Sequence, residues 1–207
     1  MLVASADQEL LMDYRITKKT PLYRGFFHID AFAVSHQCFD GAEQAIVREH
    51  LERGDAVAIL LYDPKIDEVL LIEQFRIGPA IRKDEPWLIE VVAGMIDKGE
   101  SPEAAAVREA EEEAGFHPYD VRHLGRYYST PGGSSERIDL YLGLVDRTQP
   151  VSDGGGMDHE QEDIRSFWLA RSEAMDWLAS GRINSGAPML ALLMAFGSAG
   201  VVEKDRD

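Results

Sequence analysis

Four glutamates fall within five positions of the stretch VREAEEEAG, residues 107–115: Glu109, Glu111, Glu112 and Glu113. The interleaved alanines favour a helix, which sets Glu109 and Glu113 four residues apart on one face. Like charges at that spacing cost an isolated helix about 0.2–0.5 kcal/mol. Two carboxylates one turn apart can share a hard divalent cation such as Mg²⁺ or Mn²⁺, ions that commonly bridge protein carboxylates and substrate phosphates. A bound cation would replace the repulsion with attraction. Arg108 and Glu112 form a further i,i+4 pair, and Glu100 is placed to reach the same arginine and lock the preceding loop to the helix.

The surrounding elements must hold this cluster in place. The loop AGMIDKGESPEA precedes it, and its glycines let the backbone approach a ligand closely. Ser101 suits an N-cap and Pro102 the first helical position, so a helix is expected over 102–114 with Gly115 as its left-handed stop. The apolar runs AVAILLY (56–62) and VLLIEQF (69–75) flank DPKIDE and predict a buried hairpin. WLIEVV (87–92), RHLGRYYST, IDLYLGLV and IRSFWLA read as further strands, and LYRGFFHIDAFAV (22–34) as one or two more, followed by a turn in HQCFDGAEQ. The stretch 148–163, TQPVSDGGGMDHEQED, reads as a long, flexible polar loop. Two helices are expected at the end: SEAMDWLAS with Ser172 as cap, and APMLALLMAFGS, which is apolar nearly all round and so belongs in a core or an interface. A strand-rich sheet with one central helix and C-terminal helices is an α/β sandwich. Residues 1–50 suggest a small separate β-unit, although no Pro/Ser-rich linker marks its edge.

Composition narrows the function classes. The 207 residues are 45% hydrophobic and 28% charged, with a formal net charge of −16. That acidity disfavours nonspecific nucleic-acid binding and attachment to anionic membranes, both of which need basic patches. The one cysteine, Cys38, permits no intrachain disulfide and fits a reducing compartment. The N-terminal residues lack a basic segment followed by an apolar run, so no secretion signal is read there. No apolar run reaches the roughly 18 residues of a spanning helix. A cytoplasmic location is expected.

The stretch Gly94–Phe116 matches GX5EX7REUXEEXGU at every fixed position: Gly94, Glu100, Arg108, Glu109, Glu112, Glu113 and Gly115, with Ala110 and Phe116 in the apolar slots. This resembles the Nudix box, so the chain is identified as a member of the Nudix hydrolases. The resemblance implies an α/β/α sandwich with a mixed sheet, and Mg²⁺-dependent hydrolysis of a nucleoside diphosphate linked to another moiety. Pro131, sixteen residues after Gly115 in STPGGSSER, together with LLIEQFR, WLIEVVAGMID, HEQEDIR and YRGFF, is similar to the bacterial ADP-ribose pyrophosphatases. That likeness implies hydrolysis of ADP-ribose to AMP and ribose 5-phosphate. It also implies a homodimer paired through residues 1–50, which would complete part of the substrate site, with 51–207 as the hydrolase domain. GDP-mannose, other ADP-sugars or NADH are the alternative substrates, and a noncatalytic ADP-ribose sensor is a further alternative.

The same resemblance assigns roles. Glu109, Glu113 and the carbonyl of Ala93 are expected metal ligands, with Glu112 a ligand or an outer contributor. Gly94, Glu100, Arg108 and Gly115 are expected to hold the loop and helix together. In HEQEDIR, Glu162 is expected to reach a metal and Glu160 to act as general base, though the two roles could be exchanged. Glu113 counts among the catalytic residues. Arg76 and Arg48 are expected on the substrate, Arg76 at its phosphates, and Glu136 on the terminal ribose. Phe27, with Phe26 as its alternative, is expected to stack adenine across a dimer interface. Mg²⁺ is the expected ion, with Mn²⁺ as the substitute.

Overall fold

The apolar run at 56–62 becomes strand β4 (Ala56–Asp63) in the computed structural model, which describes residues 13–156, 163–198 and 200–202. Every residue of β4 is buried. Val57, Ile59 and Leu61 point to one face of a sheet and Ala58, Leu60 and Tyr62 to the other. A strand covered on both faces needs apolar residues at every position rather than at alternate ones.

Around β4 the larger of two compact units, Gly54–Ser129 with the residues from Arg137 on, forms a seven-stranded mixed sheet. β5 (Glu68–Phe75), β6 (Trp87–Glu90), β7 (Val92–Met95), β8 (Asp120–Tyr128), β9 (Arg137–Leu144) and β10 (Ile164–Ala170) complete it. Its order is β10-β5-β4-β9-β8, with β6 added to β5 and β7 to β4. β4 and β9 run parallel and the other pairings are antiparallel. The β4–β5 hairpin forms as the sequence predicts. The expected single strand over 87–92 is instead two, β6 and β7. They turn from β5 to β4 at Val91, so that Ala93 to Met95, read as loop, are strand. The short helix α1 (Ile77–Arg82) was not foreseen; Pro79 within it weakens the helical signal.

Helix α2 (Pro102–Ala114) covers one face of the sheet. Ser101 accepts the Ala104 N–H at its start, and Gly115 ends it in the left-handed region with φ 76°. Its inner face is Ala105, Ala106, Ala110 and Ala114, small enough to seat the helix against Val57, Ile59, Ile72 and Val92. The opposite face is covered by α3 (Arg171–Ala179) and α4 (Gly186–Phe196) through Ala174, Ala191, Leu192 and Phe196. The result is an α/β/α sandwich. α3 begins at Arg171 with Ala170, not Ser172, in the cap position and no side-chain cap bond. α4 is less enclosed than its composition suggests: Ala191, Leu192 and Ala195 are buried, while Leu193 and Met194 face outward.

The smaller unit comprises the chain up to Arg53 together with Thr130–Glu136. It is an antiparallel meander of β1 (Tyr14–Arg24), β2 (His28–Gln37) and β3 (Glu43–Glu52). Of the one or two strands expected over 22–34 the structure has two, β1 and β2, divided at Gly25–Phe27. The segment Thr130–Glu136, remote in sequence, joins β3 through the Leu51 N–H bonded to the Gly133 carbonyl at 2.8 Å. Among the described residues the buried side chains of this unit are Asp30, Ser134 and Glu136, all polar, whereas Tyr14, Ile16, Tyr23, Phe26, Phe39 and Val47 are exposed. Asp30 is ion-paired to Arg24 and Lys19.

The C-terminus of α2 offers a direct test. A Cβ on Gly115 would lie 2.3 Å from the Ser152 carbonyl oxygen, on a backbone already at positive φ. Gly115→Ala is expected to lower the unfolding free energy by about 1–3 kcal/mol, read as a fall in the urea midpoint; an unchanged midpoint would refute the cap assignment.

Candidate active site

Arg108 organises the loop–helix junction. Its Nε donates to Glu100 at 3.1 Å, and Nη1 donates to Glu109 at 2.7 Å and Glu112 at 3.0 Å. Nη2 donates to the Met95 carbonyl and to Glu100, each at 3.1 Å. A guanidinium has five N–H donors, so all are used. Lysine could not reproduce this planar fork. The surrounding carboxylates raise the Arg108 pKa, Glu100 first among them. Arg108 in turn holds Glu100 below the usual carboxylate range, against the opposing effect of burial. The sequence pairs Arg108 with Glu112 and Glu100; the structure adds Glu109. Guanidinium charge therefore offsets the crowding of Glu109 and Glu112, whereas the cation of the sequence reading was set between Glu109 and Glu113.

Two contacts tie the helix carboxylates to β7. Glu113 is only 3% exposed, and its Oε2 accepts the Ala93 N–H at 3.1 Å. Gly94 faces Glu109 so closely that a Cβ would sit 1.9 Å from Oε1, which explains glycine here. Glu112 is one-third exposed. Glu111 is bonded by the His117 ring.

The loop after β9 is pinned to the end of α2. Val151 N–H donates to Gly115 O at 2.8 Å, Gly155 N–H to Glu113 O at 2.8 Å and Gly156 N–H to Glu112 O at 3.2 Å. These bonds satisfy helix-end carbonyls that lack intrahelical partners. Gly154, Gly155 and Gly156 all have positive φ, and a Cβ on Gly154 would meet the Ala114 carbonyl carbon at 2.7 Å. The glycine run, expected to supply flexibility, is thus an anchored plug. Glu160 and Glu162 lie outside the described residues.

The donors on the α2 face are carboxylate oxygens, the hard ligands that Mg²⁺ or Mn²⁺ prefers, so the residues present suit such an ion. Among the described residues no group of three or more His, Cys, Asp or Glu is disposed to hold a metal unaided. Arg76, in the larger unit, donates to Glu90 at 2.7 Å and is 41% exposed. Phe27, Arg48 and Glu136 belong to the smaller unit. Arg48 is exposed on β3 and bonds the Val47 carbonyl. Glu136 is ion-paired with Arg53 at 2.9 Å, and Arg53 also lies over the Phe27 ring, 5.8 Å from its centroid. Phe26, the alternative to Phe27, packs edge-on to it and is almost fully exposed. Sequence reasoning missed Arg53 and Glu90, since neither belongs to a motif and only the fold gives each its partner.

The loop–helix cradle of glutamates, on a mixed sheet between helical layers, defines a Nudix-type site. The NUDIX domain family model matches residues 52–192, and the chain belongs to that family. It is 40% identical over 184 residues to an ADP-ribose pyrophosphatase of Haemophilus influenzae, covering 87% of this chain and 84% of the relative. It is 42% identical over 181 residues to the ADP-ribose pyrophosphatase of Escherichia coli K12, covering 87% and 86%. A GDP-mannose pyrophosphatase of Escherichia coli O1:K1 / APEC is 38% identical over 146 residues, 70% and 75% of the two chains. The fold is similar to the crystal structure of an ADP compounds hydrolase, with TM-score 0.67, 23% identity and coverage of 87% and 90%. No helix among the described residues is long and apolar enough to cross a membrane.

The pH dependence of the junction is a checkable consequence. Because Glu100 has a depressed pKa in the folded protein, its contribution to stability is present above its unfolded value, about 4.3. That contribution is lost as pH falls through the lower, folded value. The urea-midpoint difference between wild type and Glu100→Gln is expected to be full at neutral pH and to shrink below about pH 4. A difference independent of pH would contradict the Arg108 linkage.

Proposed function

We propose that the chain hydrolyses the diphosphate bond of ADP-ribose to AMP and ribose 5-phosphate, with Mg²⁺ as the ion and Mn²⁺ as its substitute. The observation that carries this reading is the junction itself, in which Gly94 admits Glu109 and Ala93 N–H holds Glu113. The two ADP-ribose pyrophosphatases at 40% and 42% identity support the substrate. A noncatalytic sensor would have no need of an intact set of box glutamates.

Glu109, Glu113, Glu162 and the Ala93 carbonyl would hold the ions, with Glu112 as ligand or outer contributor. Bound there, they would supply positive charge against the diphosphate oxygens and make the attacking water more acidic. Glu160 accepts that water's proton. Arg76 binds the phosphates and Arg48 reaches the substrate, while Glu136 orients the terminal ribose and Phe27 stacks the adenine. Residues 1–50 pair two copies in a cytoplasmic homodimer. The exposed apolar side chains of β1–β3 support this pairing, because a three-stranded sheet without an apolar core is marginal alone. Light scattering is expected to give twice the chain mass; a monomer at micromolar concentration would rule the pairing out.

Turnover decides the chemistry. With Mg²⁺, ADP-ribose is expected to give AMP and ribose 5-phosphate in equal amounts, with kcat/KM above that for GDP-mannose or NADH. Glu113→Gln is expected to lower kcat by on the order of 100-fold with the fold retained. Undiminished turnover of that variant in saturating Mg²⁺ would overturn the ligand assignment, and a higher kcat/KM for GDP-mannose would overturn the substrate.

A further inference from the structure

Gln74 on β5 is 7% exposed, and its Oε1 is buried without a hydrogen-bond partner. Side chains alternate along a strand, so Gln74 shares a sheet face with Leu70 and Ile72, which pack in the cluster beneath α2 with Val92, Ala106 and Ala110. Its strand partners are Leu88 on β6 and Ile164 on β10. The face therefore runs apolar, apolar, amide; Arg76 follows just beyond, and its ion-pair partner Glu90 stands opposite Ile72. Buried carbonyl oxygens in native proteins are nearly always bonded, and an orphan calls for a specific explanation. A trapped water needs two to four polar partners, and the residues directly opposite Gln74, Leu88 and Ile164, are apolar. The acceptor is left for a donor that arrives with a ligand.

A nucleoside diphosphate sugar brings few donors. Its phosphate oxygens only accept, its adenine amino group is assigned above to a base stacked on Phe27, and its sugar hydroxyls remain. We propose that Gln74 is a substrate-binding, specificity-determining residue whose Oε1 accepts a hydrogen bond from a ribose hydroxyl. This rests on the nucleoside diphosphate sugar reading of the site. It adds a polar contact from the sheet itself to those from the box and the loops. The contact also discriminates against analogues lacking that hydroxyl, because a site built to bond a hydroxyl leaves its own group unpaired when the hydroxyl is missing.

The test uses Gln74→Met, which keeps length and removes the acceptor, with Gln74→Leu as a second variant. KM for ADP-ribose at fixed Mg²⁺ is expected to rise about 5-fold in both, with kcat within about 2-fold. The urea midpoint is expected to stay or rise, since removing an unbonded buried acceptor relieves the fold. Unchanged KM in both variants overturns the proposal. A fall in kcat at constant KM also overturns it, by assigning the amide to the attacking water, and so does a lowered midpoint in both, by showing that the amide is bonded within the fold. Wild-type enzyme that turns over GDP-mannose in place of ADP-ribose defeats the substrate reading alone; the same KM rise is then expected on that substrate.

Discussion

The Arg108 guanidinium is the interaction on which the rest of the site depends. Five donors meet five acceptors, drawn from Glu100, Glu109, Glu112 and the Met95 carbonyl. Three of these bonds fasten the helix to the preceding loop and strand. The other two hold helix carboxylates that would otherwise repel one another. Partial burial strengthens such charge-assisted bonds and makes each unpaired member costly. The glutamates can therefore be concentrated on one helix before any cation arrives. The ionic network supplies the geometry, and ion binding acts on a surface already shaped.

Close backbone approach is the second requirement. At its inner face α2 meets β7 through Gly94 and Ala93, where no side chain stands between strand and carboxylate. At its far end the plug Val151–Gly156 occupies the carbonyls that a free helix would leave to water. A helix pinned at cap, flank and terminus keeps its carboxylates at fixed positions, which is what a site for hard cations demands. Between these points the alanine face lets α2 lie close to the sheet without displacing it.

Much of this was legible because it is local. Ser101, Pro102 and Gly115 each act on backbone within four residues, and the helix they predict, 102–114, has the bounds observed. The β4–β5 hairpin was legible for the same reason. The division of 87–95 into two strands was not, because it depends on which neighbour each half pairs with. The association of Thr130–Glu136 with β3 was hidden by sequence distance. α3 misled because Ser172 has a cap's chemistry, while the turn from β10 starts the helix earlier. At the site, the types and spacing of Gly94, Glu100, Arg108, Glu109, Glu112 and Glu113 were readable, but the sharing of Arg108 with Glu109 and the anchoring role of Gly154–Gly156 were not.

By itself, the sequence determined the elements whose signals lie within a turn or two of chain, and with them the helix that carries the acidic face and the family to which the chain belongs. The tertiary structure alone decided which groups meet. It pairs Arg53 with Glu136, Arg76 with Glu90, and Glu113 with the backbone of β7, and it leaves Gln74 buried with an open acceptor. The reason is physical. Caps and periodicity are short-range backbone effects, whereas hydrogen-bond satisfaction and burial are set by residues brought together from distant strands.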